Sequence, residues 1–117
     1  MSRDLGHALD MLRFARRVRQ VAERVGEDAF PDDWTAQGAL LHYLTVLGEA
    51  ARRTSEAFRI EHPDIDWPGI VGLRNRIVHE YDDYDMDIVW RVASVEVPML
   101  IERLEGIVPQ EPDGKDT

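Results

Sequence analysis

Four side chains that can do chemistry lie within residues 74–81, namely Arg74, Asn75, His79 and Tyr81. Histidine titrates near neutral pH and can act as a general acid or a general base. Arginine stays charged and can donate two parallel hydrogen bonds to phosphate oxygens. The segment therefore combines a proton-transfer group with a permanent cation suited to an anionic substrate.

The spacing of these residues limits how one chain can use them. Asn75 and His79 are four residues apart, so on a helix they share a face and can form a hydrogen bond. Arg74 and His79 are five residues apart, which places them about 140° from each other around the helix axis. Two copies facing each other across a two-fold axis would place the arginine of one beside the histidine of the other. A catalytic pair at this spacing therefore predicts a homodimer.

The elements that must position these residues are helices, because apolar residues recur every three or four positions along most of the chain. The first helix is expected at about residues 5–25, with Gly26 following as a left-handed residue. The second is expected at roughly 33–60, capped at its start by Asp32 or Asp33.

A third helix is expected to begin at Asp66 and to carry the reactive residues at its end. A fourth is expected at about 85–107, and Pro98 inside its pattern should kink or split it. Together these elements predict an all-α fold, an antiparallel up-and-down four-helix bundle. We expect one domain at residues 1–108 and a flexible acidic tail at residues 109–117.

Composition excludes several classes of protein. The chain has 117 residues, no cysteine, 44% hydrophobic residues and a formal net charge of −9. It therefore has no disulfide scaffold, no thiolate metal site and no cysteine nucleophile. The absence of cysteine suits a reducing cytosol, and no segment reads as a signal peptide or membrane span, so a cytoplasmic protein is expected. The acidity excludes a protein that coats nucleic acid nonspecifically.

The charge is unevenly distributed along the chain. Residues 1–25 contain six arginines and three acidic residues, a balance of +3, so the other residues sum to −12. An enzyme that meets one phosphate in a cleft needs only local positive charge, whereas a coating protein needs a broad basic face. The net charge therefore does not exclude a nucleic-acid substrate.

The end of the third helix, Arg74-x-x-x-x-His79-x-Tyr81, resembles the motif of the HEPN domain in the HepT toxin family. The likeness covers about residues 5–107 in order, with short connections. Three further segments match the family's pattern: Gly48-Glu49-Ala50, Pro63-Asp64-Ile65-Asp66-Trp67 and Ile88-Val89-Trp90. The arginine–histidine spacing alone recurs by chance, and it is the combination that is specific.

The resemblance implies a metal-independent ribonuclease toxin that uses no cofactor and acts as a symmetric homodimer with its active site in the subunit cleft. On this chain Arg74 and His79 would be catalytic, and Asn75 matches the family's usual asparagine. Proteins of this family are encoded beside a small nucleotidyltransferase antitoxin, MntA, which transfers AMP to the motif tyrosine. That tyrosine would be Tyr81, and the antitoxin would be the cognate partner.

The residues suit such a reaction, because RNA carries its own nucleophile, the 2′-hydroxyl group. Cleavage needs a base for that hydroxyl, an acid for the leaving 5′-oxygen and a cation for the phosphorane, which His79 and Arg74 can supply. The alternative is a non-catalytic HEPN binding module that docks onto a nucleotidyltransferase. In that case the motif would serve as a partner or nucleotide surface.

Two carboxylates near the motif have expected roles. Glu49 lies beside Gly48, which permits close approach of two helices, so we expect Glu49 to be partly buried and to orient an arginine of the motif. Arg76 is expected to form a surface ion pair with Glu80, four residues later.

The acidic run from Asp83 to Asp87 has the composition of a calcium-binding loop. Ile88 stands where such a loop needs glycine, and Ser94 stands where it needs a bidentate glutamate. Helix capping and a solvated loop are therefore expected, and no metal site. The same acidity predicts weak and selective engagement of RNA, or an arginine-rich antitoxin surface that docks on this loop.

Overall fold

The computed structural model describes residues 3–109, which are helical and contain no β-strand. A 3₁₀ turn, Phe30–Asp32, precedes the second helix. The α-helices are α1 (Arg3–Val25), α2 (Trp34–Arg52), α3 (Glu56–Glu61), α4 (Trp67–His79), α5 (Met86–Arg91) and α6 (Val97–Glu105). The predicted all-α fold is confirmed, and the up-and-down order of four antiparallel helices stays a prediction.

One apolar core joins these helices. α1 packs against α2 and α6, and α2 packs against α4. The apolar residues of α1 are buried because their spacing places them on one side of the helix. Among the largest fully buried side chains are Met11, Leu40, Ile77, Ile101 and Leu104. Ile77 therefore fixes α4, which carries the reactive residues, to the core.

Aspartates cap the starts of three helices. A side-chain oxygen accepts a hydrogen bond from a backbone N–H of the first turn at 3.0 Å for Asp33, 3.1 Å for Asp66 and 2.8 Å for Asp85. These bonds pair N–H groups that have no partner within the helix. The expected left-handed residue after α1 is confirmed, because Gly26 has a φ of 80°.

The prediction of one continuous second helix at 33–60 is wrong. α2 ends at Arg52, and the chain begins a new helix, α3, at Glu56. Ser55 caps α3, and both its backbone N–H and its hydroxyl donate to the carboxylate of Asp4, each at 2.7 Å. A polar contact with the start of α1 therefore interrupts a segment whose apolar pattern continues.

The last helix is interrupted near Pro98, as expected. A π-helical turn, Val92–Glu96, joins α5 to α6, and Pro98 lies in the first turn of α6. Proline has no N–H, and its ring clashes with the carbonyl four residues earlier, which here belongs to Ser94 within the π turn. The wider π turn accommodates Pro98, so that α5 and α6 follow each other without an intervening loop.

The predicted single domain, residues 1–108, stays a prediction. Residues 110–117 of the predicted tail lie outside the described residues. Within residues 3–109, no helix combines the length and the apolar composition needed to cross a bilayer.

Candidate active site

The close approach of α4 to α2 is made possible by Gly48. A Cβ atom at this position would overlap the Cβ of Arg74 and would lie 3.0 Å from its Cγ. It would also lie 3.3 Å from the carbonyl oxygen of Ile70. Glycine therefore allows the stem of Arg74 to cross directly over α2, and the close helix approach expected from the sequence is confirmed.

Arg74 is held by two acceptors. Its NH2 atom lies 3.1 Å from Oε1 of Glu49 on α2, and its NH1 atom donates to Oδ1 of Asn75 at 2.8 Å. The side chains of Arg74 and Glu49 are 27% and 24% exposed, so both are partly buried. The expected contact between Glu49 and an arginine of the motif is present. Nε of Arg74 is buried and has no hydrogen-bond partner within residues 3–109.

Glu49 also binds two arginines of its own helix. Arg52 donates to it from Nε at 3.2 Å and from NH2 at 2.6 Å, and Nε of Arg53 lies 3.4 Å from Oε2. The hydrogen bond from Arg52 lowers the pKa of Glu49 below its ordinary value of 4.5, and the charges of the three arginines lower it further against the effect of burial. The carboxylate therefore stays ionised at neutral pH.

His79 and Tyr81 lie at the opposite end of the motif. His79 is the last residue of α4 and is exposed, and Tyr81 is 55% exposed in the turn that follows. Within residues 3–109 no hydrogen bond or ion pair joins Arg74 to His79, as their divergence around the helix predicts. The arginine faces α2, whereas the histidine faces solvent.

Two predicted contacts of the motif are absent from the described part of the chain. Oδ1 of Asn75 accepts from Arg74 and not from His79, because the guanidinium group is turned along the helix toward it. Arg76 forms no ion pair with Glu80: the backbone N–H of Glu80 still donates to the carbonyl oxygen of Arg76 at 2.8 Å, but the φ of −124° at Glu80 departs from the helical value, so its side chain does not continue the face of the helix that carries Arg76.

The acidic segment after Tyr81 caps a helix, as expected. Tyr84 is 6% exposed and anchors the segment in the core, although its hydroxyl has no hydrogen-bond partner within residues 3–109. Asp85 accepts from the backbone N–H of Asp87 and so begins α5. No cluster of three histidine or acidic side chains in the described part of the chain has the arrangement of a metal site.

A groove of about 430 Å³ lies beside α4 and was not predicted from the sequence. Its walls are α4 on one side and α5, the π turn and α6 on the other, with α2 contributing from beneath. Two exposed apolar side chains, Ile88 and Met99, are 42% and 48% exposed at its edge. The apolar lining residues are Leu44, Leu47, Ile70, Leu73, Ile88, Val92, Val97, Met99 and Leu100.

Charged residues of both signs also line the groove. Asp66 and Arg76 contribute from the side of α4, and Glu96 and Arg103 contribute from the other side. Around the axis of α4, Arg76 lies about 60° from His79, so the groove and the histidine occupy neighbouring faces of the helix.

Known proteins similar to this chain are ribonucleases by name. The sequence model of the family described as ribonuclease HepT-like matches residues 11–107. Two candidate RNases of Methanocaldococcus jannaschii are 32% identical over 89 residues (76% of this chain, 73% of that protein) and 28% identical over 96 residues (82% and 88%). A Thermococcus cleftensis protein named "Probable ribonuclease HepT" is 27% identical over 96 residues (80% and 87%). No solved structure matches the chain.

These similarities cover most of this chain and most of each relative, and they include the whole segment from Gly48 to Tyr81 within the family match. They confirm the resemblance that the motif and its flanking segments predicted. The chain belongs to the HepT-like ribonuclease family.

Proposed function

We propose that this protein is a toxin that cleaves RNA in the cytoplasm, without a metal ion, at the cleft of a homodimer. Arg74 and His79 are the catalytic residues, and Glu49 and Asn75 position the arginine. The observation that carries the proposal is that one helix bears both an arginine bound by Glu49 and Asn75 and, five residues later, an exposed histidine.

Each residue has a defined role in the reaction. His79 removes the proton of the 2′-hydroxyl or protonates the leaving 5′-oxygen, because imidazole titrates near the working pH. The 2′-oxygen attacks the adjacent phosphorus, the bond to the 5′-oxygen breaks, and the chain separates. Arg74 stabilises the phosphorane through its charge and its remaining N–H donors. Glu49 and Asn75 keep the guanidinium group in place before substrate arrives.

A homodimer brings the two kinds of residue together. Within one chain Arg74 turns toward α2 and His79 toward solvent, so a two-fold partner is needed to set an arginine beside a histidine. We assign the groove beside α4 to the second copy, because its apolar lining is flanked by two acidic residues and two arginines. A surface with both signs of charge can complement its own copy when the chains are related by a two-fold axis.

Tyr81 is the residue whose modification switches off the nuclease. Its side chain is exposed and lies two residues after the catalytic histidine, so a transferase can reach it. In AMP transfer by a cognate nucleotidyltransferase antitoxin, the phenol oxygen of Tyr81 would lose its proton and bond to the α-phosphorus of ATP, and pyrophosphate would leave. The product carries a negative charge and a bulky group beside His79. That group would repel RNA and occupy the phosphate position.

The proposal is tested by RNA cleavage with the purified protein in the presence of EDTA. Intact protein is expected to cut RNA, and His79→Ala is expected to lose cleavage and toxicity while keeping its helical circular dichroism. His7→Ala, which removes a histidine on α1 outside the site, is the matched control and should keep activity. Cleavage by His79→Ala at the rate of the control would overturn the assignment.

The second candidate function is a non-catalytic module that docks onto a nucleotidyltransferase. The observation that favours it is the acidic segment beside Tyr81, which suits a basic partner surface. Intact RNA after incubation with the dimer, together with a stable complex with the neighbouring transferase, would support this function over the nuclease. A mass increase of one or more AMP units that is lost in Tyr81→Phe would identify the modified residue under either function.

A further inference from the structure

The three arginines around Glu49 leave an excess of positive charge beside the catalytic arginine. One carboxylate meets three guanidinium groups, so the cluster of Glu49, Arg52, Arg53 and Arg74 carries a net charge of +2. This excess stands out in a chain whose formal net charge is −9. A polyanion that approaches the protein is drawn to such a local cluster.

Arg52 and Arg53 differ from Arg74 in their exposure. Their side chains are 51% and 60% exposed, compared with 27% for Arg74. Exposed ion pairs add little to stability, because water screens them and ordering the side chains costs entropy. One arginine is enough to neutralise the charge of Glu49, and three arginines contact it. Neither stability nor charge balance therefore explains why two further exposed arginines, Arg52 and Arg53, accompany Arg74 at this carboxylate.

The two exposed arginines retain free donors. Arg53 contacts Glu49 through Nε, and no hydrogen bond within residues 3–109 engages its terminal nitrogens. Arg52 uses Nε and NH2, which leaves NH1 available. These donors lie at the end of α2, next to the guanidinium group that we assign to the scissile phosphate. Groups that share one carboxylate are close enough to contact neighbouring phosphates of one strand.

We propose that Arg52 and Arg53 bind the phosphate next to the scissile one, so that the RNA strand crosses the end of α2. This inference rests on the proposed function. The opposite direction is unfavourable, because the segment 80–87 beyond His79 carries five acidic residues and repels a phosphate backbone. The positive charge at the end of α2 and the negative charge after α4 therefore favour an RNA strand that runs from the scissile phosphate toward Arg52 and Arg53.

The experiment measures binding of a single-stranded RNA oligonucleotide to the His79→Ala protein over a series of salt concentrations. Adding Arg52→Gln or Arg53→Gln should weaken binding about tenfold, the typical effect of losing a hydrogen bond to a charged group. Because both arginines bind one phosphate, the double variant Arg52→Gln with Arg53→Gln should reduce the slope of log affinity against log salt by about 0.7, the value for one phosphate contact on a single strand, and each single variant should reduce it by less. Arg53→Lys keeps the charge and should keep the slope.

Arg91→Gln is the matched control. Arg91 is 73% exposed and lies 3.7 Å from Glu96, so its replacement removes one exposed, ion-paired arginine from α5. The control should leave both the affinity and the salt slope unchanged. Circular dichroism of every variant confirms that the helical content is intact.

Three outcomes separate this inference from the function on which it rests. If Arg52→Gln and Arg53→Gln lower kcat for cleavage in the protein that keeps His79, but leave affinity and salt slope unchanged in the His79→Ala protein, the two arginines only position Glu49 and the inference is overturned. If the slopes of log affinity against log salt fall as expected but the intact protein cuts no RNA, the phosphate contact of the two arginines is supported and the proposed ribonuclease function is overturned. If the His79→Ala protein binds no RNA, both are overturned.

Discussion

The two parts of the candidate site are held in different ways. We call Arg74 with its neighbours Glu49, Arg52 and Arg53 the arginine arm, and the exposed end of α4 at His79 the histidine arm. Arg74 is partly buried, crosses α2 at a glycine and is bound by Glu49 and Asn75. His79 ends the same helix and is exposed, and its side chain has no hydrogen bond within residues 3–109. One chain therefore preorganises the cation, whereas the proton-transfer group lacks a local support. In the proposed function, a second copy of the chain supplies the support that the histidine lacks here.

The two arms also differ in the charge around them. The arginine arm has a net charge of +2 over four side chains, while five acidic residues lie in the segment 80–87 that follows the histidine. In the strand path that we infer, RNA crosses the first region, and in the proposed function the antitoxin approaches the second. Substrate and regulator thereby contact different parts of one short site.

The largest expected effect comes from removing the preorganised cation. Arg74→Gln should lower kcat/KM for RNA cleavage by about 100- to 1000-fold, the range found when one preorganised donor to a transition-state charge is lost. Arg24→Gln, at the exposed end of α1, is the matched control and should cleave normally. Steady-state cleavage of a labelled oligonucleotide measures both. An equal fall in kcat/KM for the two variants would show that activity depends on the total positive charge of the protein and not on the position of Arg74.

The second prediction concerns the missing support of the histidine arm. Met99→Glu places a charge in the groove that we assign to the second copy, and it should weaken dimerisation by about 100-fold, because the interface would lose an apolar contact and would have to desolvate a charge. Analytical ultracentrifugation measures the dimer, and cleavage should fall in parallel at low protein concentration. Val95→Glu changes a residue that is 51% exposed but does not line the groove. A dimer that tolerates Met99→Glu but not Val95→Glu would place the interface elsewhere.

A third prediction tests the helix contact beneath the arginine arm. Gly48→Ala places a Cβ against Arg74 and should destabilise the protein by about 1–3 kcal/mol, the usual cost of overpacking. Gly38→Ala, in the same helix, meets no atom within 4 Å and should stabilise by about 0.5–1 kcal/mol, since alanine favours helix over glycine. Urea unfolding measures both. The same sign for the two variants would contradict the close contact.

Much of the fold follows from local patterns in the sequence. The apolar stripes predicted α1 and the start of α2, and the capping aspartates fixed where three helices begin, because both effects act within a few residues. The break between Arg52 and Glu56 was not predictable in this way. It depends on Ser55 binding Asp4, and these residues are 51 positions apart in the chain.

The candidate site was predictable to a similar degree. The pairing of Glu49 with a motif arginine followed from the neighbouring glycine, because only a close helix approach brings a side chain of α4 to α2. The contacts of Arg52 and Arg53 with Glu49 were missed, although these arginines stand three and four residues after Glu49, the spacing at which helical side chains meet. The groove was missed because it arises where α4 and the last helix do not pack together, and no local pattern encodes a gap.

The smallest expected effect is a pH dependence of the stability of the fold, and it arises from Glu49 in the arginine arm. The folded protein lowers the pKa of Glu49 below its ordinary value of 4.5. Its ion pairs therefore stabilise the fold fully above about pH 4.5, and this contribution is lost as the pH falls through the lowered pKa. Glu49→Gln should be less stable than the intact protein at pH 7, and the difference should shrink below pH 4.5. Glu102→Gln, which removes an exposed carboxylate from α6, controls for the loss of one negative charge. Thermal unfolding of the three proteins from pH 7 to pH 3 measures the difference. A Glu49→Gln deficit that stayed constant with pH would mean that the shape of the side chain, and not its charge, holds Arg74.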